Sequence, residues 1–143
     1  DPALRRRVAE HGPQLIHWVA HVPDLPLALS ELGDMAEQLG PAQAASRATS
    51  AGLLQWQITV REDGRRAMDG CLPTLIAWQG KYPAEGMAAS GVELKDLALQ
   101  HPEPERLRQT LRSLDLNGVT VEAGERPRIS ATFHTPGGVV TLS

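Results

Sequence analysis

The chain runs through the same succession of elements twice, and that repetition constrains its fold more than any single residue does. The first pass follows a basic, helix-prone lead-in from Leu4 to Glu10. Gln14 to Val22 is rich in apolar and β-branched residues and closes at Pro23, which predicts a strand. Leu25, Leu27, Ala28, Leu32, Met35, Ala36 and Leu39 then recur at roughly three-four spacing between a capping Asp24 and the stop Gly40-Pro41, so a helix follows. The small, polar stretch from Ala42 to Gly52 reads as a weak strand. Leu53 to Val60 alternates apolar and polar residues before the turn Glu62-Asp63-Gly64, and Leu72 to Trp78 is a further apolar strand.

The second pass repeats that order. Val92 to Gln100 alternates as a strand, and His101-Pro102-Glu103-Pro104 opens a helix carrying Leu107, Leu111 and Leu114 that stops at Asn117-Gly118. Three strands complete it: Val119 to Glu122, Arg128 to His134, and Val139 to Leu142, the last two separated by Pro136-Gly137-Gly138. The expected fold is α+β with two tandem β-α-β-β-β units, residues 1–83 with the helical lead-in and residues 84–143.

Size and charge narrow the function classes. A chain of 143 residues can bury one ordinary core, and a net charge of -3 with interspersed signs removes the usual reasons to expect a nucleic-acid or acidic-membrane partner. No stretch approaches the ~20 apolar residues of a membrane span and no signal segment opens the chain, so a cytoplasmic location is expected. The single cysteine, Cys71, rules out an internal disulfide and reads as a small buried hydrophobe at the start of a strand. The chain opens Asp1-Pro2 without Met, and a fragment of something longer is one expectation.

The text around these elements resembles the glyoxalase-like domain family of the vicinal oxygen chelate superfamily. Leu15-Ile16-His17-Trp18-Val19-Ala20-His21-Val22-Pro23-Asp24-Leu25 is similar to the first strand and helix entry of such a unit. Cys71-Leu72-Pro73-Thr74-Leu75-Ile76-Ala77-Trp78, the Tyr82-Pro83 step, His101-Pro102-Glu103-Pro104 and the ending from Phe133 to Leu142 follow the family's pattern. The resemblance implies sheets curled around a cleft, helices outside, and a further unit upstream in relatives. It therefore implies either a homodimer or packing against a missing N-terminal unit.

The resemblance also implies where chemistry would sit. The positions matching the superfamily's divalent-metal ligands hold His17, Ala77, Asp96 and Thr141, so His17 and Asp96 could hold Mn, Fe, Ni or Zn while Ala77 and Thr141 supply poor donors. His17 and His21 are the candidate catalytic groups, since a histidine suits proton transfer near neutral pH. Strand alternation adds Gln55, Gln57 and Thr59, and Ser130, Thr132 and His134, to the expected lining of the cleft for a small polar ligand, with Asp96 and Thr141 beside them. By the same parity Trp18, Trp56 and Trp78 are expected to turn toward the helices. Arg65, Arg66 and the run Arg5-Arg6-Arg7 read as solvated residues. The implied function is small-molecule binding, with a lyase or isomerase activity; the rival reading is a metal-free sequestering or interaction module.

Overall fold

The computed structural model describes residues 2–143. Helix α1 spans Pro2–His11, β1 Val19–His21, α2 Leu25–Leu32, α3 Ala36–Leu39, β2 Ala42–Thr49, β3 Gly52–Thr59 and β4 Thr74–Gln79. The second unit holds β5 Glu93–His101, α4 Pro104–Ser113, β6 Val119–Ala123, β7 Arg128–Thr135 and β8 Gly138–Leu142. Both passes of the element order are present. Asp24 caps α2, its Oδ1 accepting from the Leu27 backbone N–H at 2.9 Å.

Three elements are shorter than their patterns. The first strand pairs only from Val19, because its partner β4 begins at Thr74, directly opposite, and residues 14–18 have no strand to join. The helix after Asp24 breaks at Gly33, whose φ of 54° ends α2, and resumes as α3 after a short 3-10 turn. Cys71 does not start a strand; it follows a 3-10 turn at Ala67–Gly70 in which Met68 and Asp69 take positive φ values of 44° and 56°.

The strands form two four-stranded mixed sheets, in the orders β1-β4-β3-β2 and β6-β5-β7-β8. The element order is duplicated but the connectivity is not. In the first sheet the parallel pair joins the first and last strands of the unit, and in the second it joins β5 to β6 through α4. Both sheets share one core. Leu25, Ala28 and Leu32 of α2, Leu107 and Leu111 of α4, Ala20, Leu75 and Ala77 of the first sheet, and Leu97, Leu99, Ile129 and Ala131 of the second are all buried in one cluster. Small residues at Ala20 and Ala77 fit a close approach of α2 to the first sheet. Among the described residues no helix is long and apolar enough to cross a membrane.

Candidate functional site

Cross-strand register decides which side chains the first sheet presents. Gln57 lies opposite Ala77 and Ala20 opposite Leu75, and Ala20, Leu75 and Ala77 are buried, so this set faces the helices. Trp56 opposite Trp78, Ile58 opposite Ile76, and His21 opposite Ile76 occupy the other, open face. There His21 stacks on Tyr82 with ring centroids 5.4 Å apart and planes at 14°. Tyr82 meets Trp78 edge-on at 6.4 Å, and Trp78 meets Trp56 at 5.2 Å. The result is a ladder of four rings, its tryptophans half-buried and its outer members His21 and Tyr82 exposed.

This arrangement reverses two expectations. Trp56 and Trp78 are on the open face, and Gln57 is on the helix side with the buried Thr59, whose Oγ1 accepts from the Leu75 N–H at 3.0 Å; Gln55 shares that parity but is exposed, opposite Gln79. The physical reason lies in volume: alanines leave room beneath a helix where an indole does not. Trp18 alone follows the expectation, packed against the core with its Nε1 donating to the Cys71 carbonyl at 2.9 Å.

The second sheet brings the expected polar residues together. Asp96, Thr132 and Thr141 lie side by side across β5, β7 and β8, and the two threonine hydroxyls are 3.1 Å apart. Ser130 and His134 share that face by alternation, and His134 lies opposite Glu93. Lys95 Nζ, 3.0 Å from Glu93, holds that carboxyl below its usual range, and the nearby His134 adds to the effect.

His17 stands apart from both sets. It precedes β1, with Nε2 2.7 Å from Thr74 Oγ1, and its Nδ1 is buried without a hydrogen-bond partner. Burial holds this imidazole below its ordinary pKa, the Gly70 backbone pulls the other way, and the positive field of Arg66 adds to the lowering. Together with Thr59, Thr74, Arg61 and Arg66 it lines a cavity of about 220 Å³. No hydrogen bond joins it to His21.

The four positions matched to metal ligands do not fit a divalent ion. Ala77 is buried under the helices and has no donor, and Thr141 is bound to Thr132. Among the described residues no group of three or more His, Cys, Asp or Glu side chains could hold a metal ion.

Two features that the sequence reading did not find sit where the two units meet. His101 is buried; its Nδ1 accepts from the Glu103 N–H at 3.0 Å and its Nε2 lies 3.5 Å from the Asp69 carboxylate. The second is a groove of about 860 Å³ between α1 and the start of β7, lined by several arginines. Its signal was visible only as scattered basic residues.

Comparison with known proteins adds three findings. The family model described as glyoxalase-like domain matches residues 2–114. No curated protein matches the chain. Among solved structures, a hypothetical protein from Staphylococcus aureus is similar, with a TM-score of 0.53 and 12% identity over 95% of this chain and 68% of that one. At that identity the likeness concerns the fold.

Proposed function

Because the chain belongs to the glyoxalase-like domain family of the vicinal oxygen chelate superfamily, we propose that it binds a small molecule with a flat, unsaturated body on the open face of its first sheet. The observation that carries this reading is the ladder His21–Tyr82–Trp78–Trp56. Four rings in mutual contact, turned away from the core and bordered by Ile58 and Ile76, make a stacking platform with a polar end at His21 and Tyr82. Aromatic surface of this kind is ordinarily buried in a domain with so few aromatic residues, and leaving it open favours a ligand over a packing role.

Tryptophan fluorescence reads the site directly. Titration with anilinonaphthalene sulfonate, as a flat aromatic probe, is expected to quench or transfer from Trp56 and Trp78. Trp78→Ala should weaken the probe about tenfold, the loss of one ring contact plus its buried area. Thr132→Ala on the second sheet should leave it unchanged. Equal affinity of wild type and Trp78→Ala would overturn the reading.

Catalysis of lyase or isomerase type is the second reading, favoured by one observation: His17 is a half-buried imidazole, held by burial below the ordinary histidine pKa, beside a cavity it shares with the Thr74 hydroxyl. In that case turnover of a substrate carrying an acidic carbon or hydroxyl would disappear in His17→Gln and persist in His21→Gln. For partners, the reading takes a second copy of the chain along β8, all of whose residues are exposed and whose outer edge is unpaired. Light scattering would give twice the 15.4 kDa chain mass for that dimer, and Val140→Lys would return it to the monomer.

A further inference from the structure

Arginines that lie far apart in the chain line a single groove. Arg7 comes from α1, Arg66 from the loop before the 3-10 turn, Arg126 from the β6–β7 connection and Arg128 from the first position of β7. Their side chains border the same space of about 860 Å³. All four residues are exposed. Among the described residues none of the four is in an ion pair. Arg7 Nε donates to the neutral Gln14 Oε1 at 2.7 Å, and Arg128 Nη2 donates to the Ser143 hydroxyl at 3.3 Å.

Three arginines outside the groove do meet acids, as Arg7, Arg66, Arg126 and Arg128 do not. Arg61 clamps Asp63, Arg106 meets Glu103, and Arg108 meets Glu105 at 2.6 Å. Two carboxylates do line the groove, Asp69 and Glu125, yet Asp69 is placed against His101 Nε2 and neither reaches an arginine. Four arginines against two carboxylates leave the groove positive in a chain whose net charge is -3. Like charges gathered at one place repel, and the arrangement gains most when an anion enters. Guanidinium forks match the paired oxygens of phosphate and carboxylate groups.

We propose that this groove is a binding site for a small multivalent oxyanion, a molecule bearing two or more phosphate or carboxylate groups held between Arg66 and the Arg126–Arg128 pair, with Arg7 closing the site from α1. The volume accommodates an organic anion of metabolite size. The site is separate from the aromatic ladder and does not depend on it.

Isothermal titration of the full chain with inorganic pyrophosphate and with citrate, at low salt, tests the proposal. At least one of the two is expected to bind at a single site, and the tighter one identifies the anionic group. Arg66→Gln combined with Arg126→Gln should weaken that binding at least tenfold, and Arg126→Lys less. Arg47→Gln, which removes an exposed arginine from β2 on the first sheet, should leave it intact. All these positions are exposed, and matching melting temperatures confirm that the variants are folded. Absence of binding by both probes at millimolar concentration would overturn the proposal. So would equal loss in Arg47→Gln and in the groove variants, which would mean diffuse charge attraction. Survival of ladder-dependent fluorescence quenching in the double variant keeps this outcome distinct from that of the stacking site.

Discussion

Cys71 has its Sγ 3.5 Å from the Gln100 carbonyl, at the place where the first unit rests on the second, and burial pushes its thiol up to about 11. The native protein should therefore react with a thiol reagent at pH 8 only as fast as it unfolds, and denaturant should release the full reactivity at once. Because the unfolded thiol ionises near 9.0, stability should fall as the pH is raised from 9 toward 11, a loss absent from Cys71→Ala. His17 works at the other end of the scale. Its pKa is lowered in the fold from the 6.5 of an ordinary histidine, so its contribution is complete above that value and is lost as the pH falls below it. Denaturation midpoints between pH 7 and 5 should drop less steeply in His17→Gln than in wild type. The sequence pointed to His17 as a special residue, but not to its bond with the Thr74 hydroxyl. That bond depends on β4 beginning at Thr74, opposite the start of β1 two positions after His17, which only strand pairing could decide.

At the level of elements, the turn Ala67–Gly70 is the tightest joint in the molecule. Gly70 has φ 97°, and a Cβ there would come within 2.1 Å of the Ile16 carbonyl oxygen. Gly70→Ala combines a disfavoured backbone with a collision against main chain, and should cost at least about 2–3 kcal/mol in chemical denaturation. Element order and most boundaries were legible because periodicity, Asp24 and Gly40-Pro41 are local signals, whereas α4 ends at Ser113, ahead of the Asn117-Gly118 stop and with Leu114 already outside it. Which face of a strand turns to the helices is not local. Alternation separates Gln57 from Trp56 but does not say which belongs inside, and the answer came from the register that sets Gln57 against the buried Ala77. In the second sheet the buried positions, Leu97, Leu99, Ile129 and Ala131, are apolar throughout, which leaves Asp96 and Thr132 a single possible side.

For the whole molecule, one core joins both units, since α2 packs against α4 and the leucines of each sheet share a cluster. Thermal unfolding followed by tryptophan fluorescence, which reports the first unit, and by far-ultraviolet circular dichroism, which reports both, should give a single coincident transition. The mismatch in connectivity bears on how that state is reached. The parallel pair of the second sheet joins residues roughly 22 positions apart, Leu97 with Val119, whereas that of the first joins residues roughly 55 apart, Val19 with Thr74. The longer closure costs under about 1 kcal/mol more in chain entropy, so β1 joins β4 across the larger loop of the two. The parallel pair of the second sheet is therefore expected to close first. Pulsed hydrogen exchange during refolding should show amides of β5 and β6 protected ahead of those of β1, so that the aromatic face of the first sheet is completed against a second sheet already in place.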